Sequence, residues 1–242
     1  MPETRTAQDA VIVLSAAAPI ELVVLDMAGT TVQDDGVVER AFERAAERTS
    51  VAERMPWPDA LAYVRQTMGQ SKIDVFRHLS GGDEQLAAAG AAAFEDAYAE
   101  IVADGGAREI PGARALIEDL RDAGRSVVLT TGFAPATRDA ILASLGWTGL
   151  ADAALSPIDA GRGRPAPDLV LAALLRTRTS EVASVAVAGD TTSDIASGLA
   201  AGAGIVVGVR SGAHSASALR AAGAHAVLDD VTGLRAIPAL WV

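Results

Sequence analysis

Asp26, Asp190 and Asp194 are the residues whose types and spacing most plainly suggest chemistry. Asp26 ends the apolar run Leu22-Val23-Val24-Leu25, and Asp190 follows Val185-Ala186-Val187-Ala188-Gly189, with Asp194 close behind. Short apolar runs of this kind read as strands buried on both faces, so both carboxylates fall at the carboxyl ends of strands, where open α/β sheets bind ligands. Together with Asp194 they make an oxygen-only donor set suited to Mg²⁺, and such a cluster has little use without a phosphate. Two further stretches fit a phosphoryl site: Thr130-Thr131-Gly132 after Val127-Val128-Leu129, and Arg164 in Gly163-Arg164-Pro165-Ala166-Pro167. Singly, each has a plain alternative. Asp26 can cap a loop with Gly29 making the bend, Thr131 can bond its own backbone, and Arg164 can be a surface charge beside prolines.

The elements that must position these groups are legible along the chain. At 242 residues it can bury a sizeable core, and with 50% hydrophobic but only 4% aromatic residues that core must be built from Ala, Val and Leu. The run Ala10 to Ala18 resembles a signal-peptide core, but Glu3 and Asp9 flank it and it is too short to span a bilayer, so residues 1–19 read as a tail, with an extra strand as the alternative. Gln33-Asp34-Asp35-Gly36 reads as an outgoing hinge. Helical periodicity alone follows: Val37 to Ala46, a helix opened by Pro58 and Asp59, another from about Ser71 to Leu79 ending at Gly81-Gly82, and a long one from Glu84 to Val102 with Phe94, Tyr98 and Ile101 on one stripe. Asp104-Gly105-Gly106 reads as the return hinge. A helix from Pro111-Gly112 to Ala123 comes next. Strands near 126–130, 154–156, 184–188, 204–209 and 226–228, each trailed by a helix, then predict an α/β fold with a parallel, Rossmann-like sheet and helices on both faces. The expected organisation is a core of residues 1–34 and 106–242 with a small helical cap inserted at 35–105.

A formal net charge of −11 argues against nucleic acid or an anionic membrane surface as partner. The chain has no cysteine, which excludes disulfides and thiol chemistry and makes the reducing cytoplasm the default location.

The Asp26 stretch, Thr130-Thr131-Gly132, Arg164 and the Asp190/Asp194 pair together resemble, in order and spacing, the four motifs of the haloacid dehalogenase superfamily. That resemblance implies that Asp26 is a nucleophile forming an aspartyl phosphate, and that Asp26, the carbonyl of Ala28 and Asp190 hold Mg²⁺, with Asp194 on the metal or its waters. It further implies that Thr131 and the amide of Gly132 bind phosphoryl oxygens. Arg164 stands where most members carry Lys, and a guanidinium can grip those oxygens bidentately. An inserted cap of this kind closes over the active site in the superfamily.

Two features sharpen the expectation. Phosphatase members place a second Asp two residues after the nucleophile, where this chain has Ala28, which cannot protonate a leaving alkoxide. Met68-Gly69-Gln70-Ser71-Lys72-Ile73-Asp74, with Asp-Met-Ala-Gly-Thr-Thr, resembles the phosphonatase branch, the phosphonoacetaldehyde hydrolases and their relatives. There the Lys matching Lys72 forms an imine with the substrate aldehyde, Met68 matches a residue lining the imine pocket, Gly69 joins it among the substrate- or phosphate-binding residues, and carbon leaves phosphorus as an enamine. Met68, Gly69 and Ile73 give Lys72 apolar neighbours, and desolvation would leave its amine neutral. The chain departs from that branch at Val75, where a His is usual, and at Phe133, where a hydroxyl-bearing aromatic is usual. His78 lies more than one and a half helical turns past Lys72, on the far side of a straight helix. The resemblance thus implies a Mg²⁺-dependent hydrolase of a small phosphonate, with dimerisation through the cap. The alternatives are a phosphatase of small phosphate monoesters using the same Asp26, and a phosphate-binding protein without turnover. A dehalogenase would have no need of Asp190 and Asp194.

Overall fold

The computed structural model describes residues 18–105 and 107–241. Most of the expected N-terminal tail, residues 1–17, therefore lies outside the described residues. Six parallel strands form one sheet: β1 (Leu22–Asp26), β2 (Ser126–Thr130), β3 (Ala153–Leu155), β4 (Val185–Gly189), β5 (Ile205–Val209) and β6 (Ala226–Leu228), in the order β3-β2-β1-β4-β5-β6. β1 is central and pairs with β2 on one side (Asp26 opposite Thr130) and β4 on the other (Leu25 opposite Ala188). Every residue of β1, β4 and β5 is buried, the physical counterpart of their unbroken apolar runs. The order of strands reverses at β1, so the crevice at its carboxyl end is the place where such sheets bind ligands.

Four helices follow β1 and make up the insert: α1 (Val37–Arg48), α2 (Trp57–Gln66), α3 (Lys72–Leu79) and α4 (Glu84–Gly105). Their apolar stripes meet in a core of Phe42, Phe76 and Phe94, with ring centroids 5.2 Å apart for Phe42 and Phe76 and 4.6 Å for Phe42 and Phe94. A Cβ on Gly90 of α4 would sit 2.5 Å from the Phe76 ring, so this glycine sets how closely α4 approaches α3. The two linkers of the insert run side by side: Gln33 N–H donates to Arg108 O at 2.8 Å and Ile110 N–H to Thr31 O at 2.9 Å. The outgoing turn uses positive φ at Asp35 (42°) and Gly36 (72°). The expected return hinge needs correction, because α4 continues through Asp104 and Gly105.

Beyond the insert come α5 (Ala113–Asp122), α6 (Pro135–Ser144), the single turn α7 (Pro157–Ala160), α8 (Asp168–Thr177), α9 (Thr192–Ala201) and α10 (Ala216–Ala221). Val23 and Leu25 of β1 share a core with Leu116, Ile117 and Leu120 of α5 and Ile141 of α6. Leu22 and Val24, on the other face, share one with Leu169, Val170 and Ala173 of α8 and Ile195 of α9. The sheet is thus covered on both sides, as alternating strands and helices require. β6 is an exception to the expected pattern, being followed by two 3₁₀ segments, Val231–Ala236 and Pro238–Leu240, where a helix was predicted. Gly233 within the first and Pro238 at the start of the second prevent a continuous α-helix. Among the described residues no helix is long and apolar enough to cross a membrane.

Candidate active site

The carboxyl end of β1 delivers Asp26, that of β4 delivers Asp190, and the first turn of α9 delivers Asp194. All three are buried, and one carboxylate oxygen of each lies within 4.8 Å of the others. Three anions held this close need compensation. Among the described residues Arg164 is the cation paired with them: Nη1 lies 2.6 Å from Asp26 Oδ1 and also donates to Asp194 Oδ1, while Nη2 reaches Thr130 Oγ1 at 3.3 Å.

Local sequence explains how each carboxylate is held. Thr191 is the N-cap of α9 and Asp194 its third helical residue, so the two form a capping box: Asp194 N–H donates to Thr191 Oγ1 at 3.2 Å, and Thr191 N–H donates back to Asp194 Oδ2 at 3.1 Å. Asp190 accepts from Thr30 Oγ1 at 3.1 Å and from Ala213 N–H at 2.7 Å, the latter in the loop after β5. Glycine is required around it, since a Cβ on Gly29 would stand 2.5 Å from Asp190 Oδ2 and one on Gly212 2.0 Å from it. Thr31 donates its hydroxyl to Asp26 O at 2.9 Å and so closes the turn beyond β1. Burial pushes Asp26 up to about 7 and Asp190 well above the ordinary carboxylate range, Arg164 opposing the effect at Asp26. Burial works against the charge of Arg164, but Asp194 and Asp26 hold its pKa above the usual arginine value.

One guanidinium cannot neutralise three carboxylates, and the carbonyl of Ala28 accepts no hydrogen bond among the described residues. An all-oxygen donor set with excess negative charge and a free carbonyl beside it fits a hard divalent cation.

The insert closes over this edge. Its loop Met68–Ser71 seats on three core loops at distances that only glycine permits: a Cβ on Gly69 would lie 2.6 Å from Thr191 Oγ1, one on Gly132 2.5 Å from Gln70 O, and one on Gly163 2.8 Å from Ser71 Cβ. Gly69 also needs its φ of 83°. Asp26, Ala28, Asp34, Asp190 and Thr191 from the core, and Met68, Gly69 and Lys72 from the insert, line one cavity of about 20 Å³, with Thr131, Gly132 and Phe133. Such a space holds about one water.

Lys72 is the first residue of α3 and is 6% exposed. Its Nζ sits 5.4, 5.2 and 5.1 Å from the ring centroids of Phe42, Phe94 and Phe133. No carboxylate among the described residues lies within 4.0 Å of it. Burial therefore dominates and lowers Lys72 to about 8, with Glu95 and Asp34 pulling in the opposite direction.

The sequence-predicted residues are thus brought together at one edge: Asp26, Ala28, Met68, Gly69, Lys72, Thr131, Gly132 and Asp190 in the cavity wall, with Asp194 and Arg164 in direct contact with Asp26 or with each other. Three details differ from expectation. The guanidinium of Arg164 is committed to Asp26 and Asp194, not to the cavity, and Thr131 Oγ1 accepts from Phe133 N–H at 3.2 Å, a local bond. The apolar surroundings of Lys72 come chiefly from aromatic rings, where Met68, Gly69 and Ile73 had been expected to supply them. Val75 is packed in the insert core, and His78 stacks on Tyr63 at 3.7 Å, outside the cavity. Thr30, Thr191 and Ala213 were missed as partners of the carboxylates. The Thr191-x-x-Asp194 spacing is a readable capping signal, and the loop after β5 lies at the same strand edge. Glu95, Phe42 and Phe94 had no local signal beyond a helical stripe.

Comparison with known proteins bears on the fold and the family. The chain is similar to a hydrolase from Pseudomonas syringae (24% identity over 90% of this chain and 96% of that one, TM-score 0.76). It is equally similar to a phosphonoacetaldehyde hydrolase-like protein from Oleispira antarctica (23% identity, 96% of this chain and 97% of that one, TM-score 0.76). A predicted phosphoglycolate phosphatase from Haemophilus somnus follows at 17% identity, 90% of this chain and 98% of that one, and a TM-score of 0.70. At these identities the likeness shows the fold. No curated protein matches. The profile of haloacid dehalogenase-like hydrolases matches residues 20–202, a span that holds all three aspartates, Arg164 and the whole insert, and the chain belongs to that family.

Proposed function

We propose that this hydrolase cleaves the carbon–phosphorus bond of phosphonoacetaldehyde or a close analogue, with Mg²⁺ as cofactor, Asp26 as nucleophile and Lys72 as the imine-forming amine. The observation that carries this reading is the pairing of Lys72 and Asp26 across one cavity, the lysine caged by three rings without a counter-ion and the aspartate followed by Ala28. A neutral amine is what condensation with an aldehyde needs, and burial lowers the Lys72 pKa to about 8. Ala28 removes the acid that an alkoxide leaving group would require, so assistance has to come from the carbon side.

The chain's own residues then have these tasks. Lys72 adds to the aldehyde carbon and, with loss of water, becomes a protonated imine. Asp26 attacks phosphorus as the carbon–phosphorus bond breaks, and the bonding pair moves into the imine to give an enamine. The aspartyl phosphate is afterwards hydrolysed. Arg164, paired with Asp26 and Asp194, fixes the nucleophile and offsets charge beside it. Bound Mg²⁺, held by Asp26, Ala28 O and Asp190 with Asp194 behind, would neutralise the phosphonate oxygens. The closed insert keeps water from the enamine.

A phosphatase of small monoesters would use the same Asp26 but would lack the proton that Ala28 cannot give. Purified protein with Mg²⁺, offered phosphonoacetaldehyde and a panel of alkyl phosphate monoesters, separates the two. Phosphate release from the phosphonate at far higher kcat/KM supports the proposal. Release from the monoesters alone refutes it.

A further inference from the structure

Glu95 belongs to none of the motifs, yet α4 carries it to the edge of the site. Its Oε1 accepts a hydrogen bond from Ala134 N–H at 3.1 Å, just before α6, and so ties the insert to the core. Its Oε2 is shielded from solvent and has no hydrogen-bond partner. A buried carboxylate oxygen is seldom left so, and each such group calls for an explanation. A donor lies on the same cleft wall: Lys72 Nζ has three protons to donate when charged and faces three aromatic rings. Glu95, Lys72, Gly132 and Phe133 share the wall of a cleft of about 600 Å³ that opens to solvent between α3, α4 and the loops after β2 and β3. Val75 and Phe133, the positions from which proton handling would be expected, cannot move a proton. Asp34, the other carboxylate near Lys72, already has Oδ1 engaged as acceptor for Val38 N–H at 2.9 Å, at the start of α1.

We infer that Glu95 is the proton shuttle for imine formation at Lys72, acting from its unpaired Oε2 across one bridging water. This rests on the proposed function, since it needs an imine to form. The proton balance closes without an outside acid. Glu95 takes a proton from the Lys72 ammonium; the freed amine adds to the carbonyl carbon as the π pair moves to oxygen, and the proton on nitrogen passes to that oxygen. Glu95 then returns its proton to the carbinolamine hydroxyl, which leaves as water while the nitrogen lone pair forms the iminium. Ammonium and aldehyde thus become iminium and water, and Glu95 ends as it began. Burial makes Lys72 willing to release the proton, and Glu95 is the strongest of the opposing charges acting on it.

The test is the rate at which borohydride traps phosphonoacetaldehyde on Lys72, followed by peptide mass spectrometry on the full chain with Mg²⁺. Glu95→Gln keeps an acceptor for Ala134 N–H and should keep the wild-type melting temperature, while slowing adduct formation roughly 100-fold or more and abolishing the carboxylate limb of its pH profile. Glu95→Ala should be slow in the same way and regain rate with added formate, an effect that lost packing would not give. Adduct formation by Glu95→Gln within three-fold of wild type overturns the inference while leaving the function standing. So does a loss found in Asp34→Asn in place of Glu95→Gln, or a slow Glu95→Ala that formate does not restore. No adduct on Lys72 in the wild type overturns the function itself and this inference with it.

Discussion

The core and the insert each bury ionisable groups at the shared edge, and they treat the charge in opposite ways. On the core side three carboxylates are gathered around a guanidinium and wrapped in hydroxyl and backbone donors from Thr30, Thr191 and Ala213. That arrangement crowds anions out of water beside a single cation, and burial raises the pKa of Asp26 and Asp190 until more positive charge arrives. On the insert side a lone amine is walled by Phe42, Phe94 and Phe133 and placed at the first turn of a helix, where the macrodipole also disfavours a cation. That arrangement loosens the proton of the amine. Under the proposed function the two halves would serve one reaction from both ends, a phosphoryl site that a metal would complete and an amine whose proton desolvation loosens.

The comparison breaks most sharply at Asp26. Asp26→Asn keeps the shape and removes the nucleophile, so phosphate release should fall by roughly 10⁴-fold or more with little change in melting temperature. Activity within a few-fold of wild type would refute the role. Removing the metal should come next. A chelator should stop phosphate release, and added Mg²⁺ should restore it, because charge compensation at the phosphoryl group is worth several kcal/mol, roughly 10³-fold. Turnover indifferent to the chelator would show that Arg164 suffices.

On the insert side the sign reverses, and stability reveals it. A lysine whose folded pKa lies near 8 costs stability wherever the amine is charged in the folded state, that is below about pH 8. The cost is relieved as pH rises from about 8 toward the unfolded value of 10.5. Lys72→Met should therefore stabilise the protein at pH 7, by on the order of 2–3 kcal/mol, while abolishing imine chemistry. Denaturant melts at pH 7 and pH 10 check this, and the gain should shrink at the higher pH. A destabilised Lys72→Met would mean that the amine is held by favourable contacts.

The smallest effect probes the cage itself. Gly90→Ala drives a methyl into Phe76, which packs on Phe42, and should cost about 1–3 kcal/mol of stability with only a modest change in turnover. A melt unchanged by the substitution would show that α3 and α4 are free to separate.

How much of this could be read along the chain follows the same division. The strand-end aspartates were legible because a buried parallel strand is an unbroken apolar run, and a carboxylate at its end has few structural uses. The helices of the insert were legible as period, to within a few residues, as with α4 running on to Gly105. Their assembly was not. Phe42, Phe94 and Phe133 lie far apart in sequence, and nothing local says that three rings will meet around Lys72. Glu95 sits on an ordinary helix face, and its role depends on how α4 docks against the loop after β2. The commitment of Arg164 to two carboxylates, and the three glycines at which the insert touches the core, are likewise products of packing between segments. The 3₁₀ turns after β6 were readable in principle from Gly233 and Pro238, but the repeating strand–helix pattern overrode them.

The central claim is that the buried amine of Lys72 becomes covalently bonded to the substrate, and one measurement addresses it directly. Wild-type protein and Lys72→Arg are incubated with phosphonoacetaldehyde, Mg²⁺ and borohydride, and digested for peptide mass spectrometry, with phosphate release followed in parallel without reductant. Arginine keeps the positive charge but does not condense with the aldehyde under these conditions. The account predicts a reduced adduct on Lys72 in the wild type, and neither adduct nor carbon–phosphorus cleavage in Lys72→Arg with Mg²⁺ affinity unchanged. Cleavage by Lys72→Arg at near wild-type rate, or a wild-type protein that releases phosphate with no adduct on Lys72, would contradict it.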